Sequence, residues 1–111
     1  MRYYQRVVCA DGFSMSVQAN ESLYCEPRES NARRYSAVEV GFPSEREELL
    51  APWAENPHKP TKTFYGWVPS EIVAHVIAKH GGMLRGEVPP GVIATPAYPP
   101  DPGRRKVTSR K

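Results

Sequence analysis

Apolar and polar residues alternate along Phe13-Ser14-Met15-Ser16-Val17-Gln18-Ala19, the period of a strand with one buried face. The segment before it, Tyr3 to Cys9, is rich in aromatic and β-branched residues, and Asp11-Gly12 between the two is a turn signal. A β-hairpin is therefore expected, in one of two registers. A two-residue loop puts Val8 opposite Met15, whereas a three-residue loop ending in a left-handed Gly12 puts Val7 opposite Met15 and Cys9 opposite Phe13. The second is favoured because it leaves Arg6 off the core face.

Asn20 to Arg34 has few apolar residues and reads as an exposed loop, with Arg28, Arg33 and Arg34 as its notable chemistry. Tyr35 to Phe42 has the composition of a third strand, antiparallel to its neighbour and stopped by Pro43. Ser44 and Glu47 have the spacing of a capping box. They predict a short helix whose Glu45, Glu47 and Glu48 are solvated near its positive end, while Leu49, Leu50 and Trp53 pack before Pro52 interrupts the ladder. Asn56 to Lys62 is a loop, and Thr63 to Val68 a short aromatic strand.

The clearest element follows. Pro69 suits a helix start and Gly81-Gly82 a helix stop. Between them Ile72, Val73, Val76 and Ile77 form one apolar stripe, with Glu71, His75 and Lys79 outside. Leu84 to Val88 returns as a last edge strand. The expected fold class is α+β: a small antiparallel sheet packed against one main helix and a short second helix.

From Pro89 the character changes, with 6 prolines among residues 89–111. Such a stretch removes backbone donors and offers little apolar area. The expected organisation is one globular domain over 1–88 and a Pro-rich tail over 89–111, without fixed structure unless bound. The tail also holds the charge excess. The chain carries a net +3, and residues 89–111 contribute Arg104, Arg105, Lys106, Arg110 and Lys111 against Asp101, leaving 10 basic and 11 acidic residues in 1–88. A partner made of phosphates or acidic side chains is therefore expected to meet the tail rather than the balanced body.

No run approaches the roughly 18 apolar residues of a membrane span, and no secretory leader is recognisable, so no membrane partner is expected and the cytoplasm is the default compartment. Cys9 and Cys25 are too few for a disulfide framework and read as small buried hydrophobes. With His75 and His80 they compose a zinc-like ligand set, but histidines five apart on a helix diverge by about 140° and the cysteines are not close neighbours. His80 is expected to meet the terminal carbonyls of its helix. No nucleophile elbow, phosphate loop or metalloprotease motif occurs, and no catalytic residue, metal or cofactor is expected. Tyr3, Tyr4, Tyr24, Tyr35, Tyr65 and Trp67 exceed what so small a core requires. Tyrosine, tryptophan and arginine dominate binding hot spots, which makes Arg28, Arg33, Arg34, Tyr35, Tyr65 and Trp67 the candidate partner-binding set.

The segments Asp11 to Ala19, Tyr24-Cys25-Glu26-Pro27-Arg28, Val38 to Ser44, and Tyr65-Gly66-Trp67-Val68-Pro69-Ser70-Glu71 through Gly82 resemble those of small uncharacterised proteins of bacteriophages and prophages. The resemblance covers most of the body and none of the tail, and supplies no site residues. It implies a non-enzymatic, phage-encoded interaction protein in the host bacterial cytoplasm that binds and inhibits a host or defence complex, for example a CRISPR effector. A nucleic-acid-associated accessory protein acting through the basic tail and a minor virion component are the alternatives.

Overall fold

The structure is a computed structural model that describes residues 3–98. Five strands, β1 (Val7–Cys9), β2 (Ser14–Gln18), β3 (Ala37–Gly41), β4 (Phe64–Pro69) and β5 (Met83–Arg85), form one sheet in the order β4-β3-β2-β1-β5. Every neighbouring pair is antiparallel. Helix α1 (Ser70–Lys79) follows β4 at one edge and leads to β5 at the other. The expected α+β class with one main helix is therefore observed. Val73, Val76 and Ile77 of α1 bury against Val7, Met15, Val17, Val38, Val40 and Val68 of the sheet.

The hairpin adopts the three-residue register. Val7 pairs with Met15, the Cys9 N–H donates to the Phe13 carbonyl at 2.8 Å, and Gly12 sits at φ 96°. That backbone region is open to glycine and strained for other residues. Arg6 is left on the outer face, where it donates to Ser14 Oγ at 3.0 Å and to the Phe42 carbonyl at 2.6 Å.

Two expectations are corrected. The short helix after Pro43 does not form: residues 44–47 are irregular, a turn spans 48–50, and only a 3-10 turn at Ala51–Trp53 follows. Both partners of the supposed capping box are engaged elsewhere. Ser44 Oγ accepts the Ser14 N–H at 2.9 Å, and the Glu47 carboxylate turns inward to α1. The domain boundary at Val88 is also too early. Residues 89–98 form a strap in which Val92 and Ala97 are buried, the Pro90 carbonyl accepts the Tyr35 N–H at 2.8 Å, and the Thr95 carbonyl accepts the Met83 N–H at 2.7 Å. Proline lacks a donor but keeps its carbonyl, and the strap contributes mostly acceptors, so its proline content does not prevent it from packing. The rest of the expected tail lies outside the described residues.

Both edges of the sheet are covered. On the β4 side the Glu55 N–H donates to the Phe64 carbonyl at 2.8 Å and the Trp67 N–H to the Tyr24 carbonyl at 2.9 Å. On the β5 side Met83 pairs with the strap on both its N–H and its carbonyl, the latter accepting from Ala97 at 3.1 Å. Among the described residues no helix is long and apolar enough to cross a membrane.

Candidate binding surface

The sheet face turned away from α1 carries a cluster of exposed aromatic rings, and a register shift in β4 creates it. Val38 pairs with Val68, but Val40 pairs with Tyr65. Two steps along β3 thus match three along β4, and the extra residue is a β-bulge. Tyr65 and Val68 both face the core, and Trp67 is turned outward with φ 53°. Gly66 leaves room for Tyr24, whose side chain a Cβ at that position would meet at 3.1 Å. The Tyr24 and Trp67 rings stack with centroids 4.6 Å apart.

A second pair adjoins the first. Phe42 and Phe64 meet edge to face at 4.9 Å. Phe64 also lies over Gly41, whose missing side chain would contact that ring at 3.5 Å. The Arg28 guanidinium stands 5.6 Å from the Tyr24 ring centre, within the range of a cation–π contact. Between Tyr24 and Phe64 runs a groove of about 470 Å³, bordered also by Leu23, Arg28, Glu39 and Glu55. Tyr24, Phe42, Phe64 and Trp67 are each between 43% and 48% exposed. Two of them, Phe42 at φ 48° and Trp67 at φ 53°, occupy the left-handed region, which costs a non-glycine residue about 1–2 kcal/mol.

A second cluster is interior. His80, just past α1, presents Nδ1 to Asp11 Oδ2 and Nε2 to Glu47 Oε1, both at 2.6 Å, and stacks on Phe13 with ring centres 4.1 Å apart. The His80 ring thus meets two carboxylates rather than the terminal carbonyls expected for it. Glu47 further accepts from Lys79 Nζ at 2.7 Å and from the Leu49 N–H at 2.9 Å. Burial by itself lowers the His80 pKa, but the hydrogen bonds and charges of Glu47 and Asp11 outweigh it and the net shift is upward. Burial opposes ionisation of Glu47, yet Lys79, the Leu49 amide and His80 leave its pKa lowered. For Asp11 burial likewise acts upward and is outweighed by the Phe13 amide and His80, so its pKa is lowered too. An imidazolium that donates from both nitrogens fits all three directions. In that form the ring has no free lone pair to bind a metal or to accept a proton from a nucleophile, and the cluster acts as a clamp joining the β1–β2 turn, the 44–50 loop and the end of α1. Burial, then the Asp11 charge, pushes the nearby Cys9 thiol up to about 11, which leaves it protonated and a poor nucleophile. Cys9 and Cys25 are both free and buried. Among the described residues no group of three or more His, Cys, Asp or Glu is placed to hold a metal ion.

Of the partner-binding residues expected from sequence, Arg28 and Trp67 meet at the aromatic cluster. Arg33 and Arg34 are exposed on their loop, and Arg34 borders a separate depression beside Ser36, Glu71 and Ile93. Tyr35 and Tyr65 are each 1% exposed, which removes them from any contact surface. Tyr35 donates its hydroxyl to the Glu29 carbonyl at 2.6 Å and Tyr65 to that of Pro60 at 2.5 Å. Arg104, Arg105, Lys106, Arg110 and Lys111 lie outside the described residues. Tyr24 was counted among the surplus aromatics but not in the partner-binding set, and Phe42, Phe64 and Glu39 were not singled out from sequence. The signal for Glu39 was the alternation in Val38-Glu39-Val40, which puts one carboxylate on the face opposite two valines.

No known protein family, curated protein or solved structure matches this chain.

Proposed function

We propose that the chain is a non-enzymatic interaction protein that binds a partner protein through the aromatic face of its sheet. The observation that carries this reading is the pair of large rings, Phe42 and Trp67, held outward in left-handed backbone. Folding alone gains little from them: each is nearly half exposed and each carries a conformational cost. Strain of this kind persists where a site uses it, and aromatic residues beside an arginine are the composition of an interface hot spot. The resemblance of Asp11 to Ala19 and of Tyr65 to Gly82 to phage-encoded proteins supplies the setting. The partner in this reading is a host or defence complex, such as a CRISPR effector, met in the host bacterial cytoplasm and inhibited by being bound.

The variant Trp67→Asn separates binding from folding, because asparagine tolerates left-handed backbone. Relief of strain offsets only part of the lost Tyr24 stack and half-buried ring surface, so stability is expected to fall by about 1–2 kcal/mol, too little to unfold the chain. Tagged wild-type chain recovered from infected cells should bring down one stoichiometric complex that Trp67→Asn does not. Equal recovery by both chains removes the aromatic face from the interaction. Dimerisation of the purified wild type that Trp67→Asn abolishes makes the face a self-association surface instead, and overturns the proposal.

A further inference from the structure

We infer that the groove between Tyr24 and Phe64 receives an arginine side chain of the partner protein, its guanidinium paired with Glu39 and stacked against the aromatic walls. This assignment rests on the reading of the aromatic face as a protein-binding surface and gives it a chemical preference.

Glu39 is the key residue. It is 8% exposed, and its Oε1 accepts the Tyr24 N–H at 3.0 Å. Among the described residues no cation lies within ion-pair distance of it. A carboxylate has two oxygens and about four acceptor positions, and burying one without compensation is unfavourable. The other largely buried glutamate of this fold is treated differently, since Glu47 is met by Lys79, His80 and a backbone amide. Glu39 therefore has unused acceptor capacity at the side of an open groove.

The walls fit the same ligand. Aromatic rings attract cations; Tyr24 already carries Trp67 and Arg28 on its ring, so an entering guanidinium takes the place of Arg28 there, beside Phe64, and exposed Glu55 adds a second carboxylate to the lining. Arg28 shows that Tyr24 accepts a guanidinium over its ring, but its own hydrogen bond goes to the Ser22 carbonyl at 3.5 Å and not to Glu39. Two carboxylates against one guanidinium leave the groove negative, which disfavours phosphate or an acidic peptide. Arginine is preferred to lysine because a planar guanidinium can stack on a ring while its edge meets a carboxylate through two parallel hydrogen bonds.

The test is an NMR titration of the full chain with Nα-acetyl-arginine amide, Nα-acetyl-lysine amide and the neutral isostere Nα-acetyl-citrulline amide. The arginine probe should shift the Tyr24, Glu39 and Phe64 amides and the Trp67 indole saturably, with a dissociation constant on the order of millimolar. Citrulline should bind at least about five-fold more weakly, consistent with loss of a cation–π and ion-pair contribution of moderate size. Glu39→Gln, which keeps an acceptor for the Tyr24 amide, should weaken the arginine probe by a similar factor, and Glu55→Gln by less. Equal binding of citrulline, equal or tighter binding of lysine, or a response that never saturates overturns the assignment. If that happens while Trp67→Asn still abolishes partner capture, the groove assignment fails and the surface reading stands. If capture also survives Trp67→Asn, both fail.

Discussion

Replacing Glu47 with alanine is expected to lower the unfolding free energy by about 3–5 kcal/mol, the range for removing one partner from a buried ionic network. Its side chain is 1% exposed, and its loss strands the His80 Nε2, the Lys79 ammonium and the Leu49 N–H. Of these only Lys79 readily reaches water. Denaturant unfolding measures the effect as a lower midpoint at constant slope, and a loss below about 1 kcal/mol would show that the clamp is dispensable. The same network sets how stability depends on pH. The His80 pKa is raised above its ordinary 6.5, so the folded state holds that proton more tightly than the unfolded chain. Its contribution is complete below pH 6.5 and is lost as pH rises through the raised value. The pKa values of Glu47 and Asp11 are lowered from 4.5 and 3.8, so their contributions are complete above those values and are lost as pH falls through the lowered ones. Stability should therefore be greatest between about pH 4.5 and 6.5 and decline on both sides. In Glu47→Ala the alkaline decline is blunted, because His80 keeps only Asp11 as a charged partner.

Gly91→Ala is expected to cost about 2–4 kcal/mol, from a residue forced into a region open mainly to glycine and from backbone overlap. Gly91 sits at φ 106°, and a Cβ there would fall on the backbone carbonyl oxygen of Tyr35. Neither group is the tip of a mobile side chain, so the strap must lift. Lifting it breaks the bond from the Tyr35 N–H to the Pro90 carbonyl and exposes Val92. Amide exchange at Tyr35 reports this directly and should accelerate far more than exchange in the Val7 to Met15 hairpin. Uniform acceleration would mean that the strap and sheet unfold together, and no change would show that residues 89–98 are not held as described.

The parts of the fold that were legible in the sequence are those set by neighbours along the chain. The hairpin register followed from keeping Arg6 out and placing Gly12 at the left-handed position, and α1 from Pro69, its apolar stripe and the two glycines that end it. What was not legible depends on distant partners. Ser44 and Glu47 have capping-box spacing, but Glu47 is claimed by His80, 33 residues on, and the helix gives way to a loop. The prolines after Val88 suggested a tail because their missing donors were visible and the acceptors they retain were not. At the surface, strict alternation places Tyr65 and Trp67 on one face, and both were expected to be contacts. The bulge separates them, sending Tyr65 inward and Trp67 outward, and nothing local to Phe64-Tyr65-Gly66-Trp67 specifies where the extra residue falls.

With both margins of the sheet engaged by the chain's own backbone at several positions, the ladder offers a partner little room to attach by contributing a strand. Main-chain pairing is largely indifferent to sequence, whereas recognition through rings and charges depends on which residues are present. In the proposed reading, exchanges at Phe64, Trp67 or Glu39 would alter the contact without touching the ladder that holds the strands together. On that reading, specificity is open to revision one residue at a time on an unchanged frame.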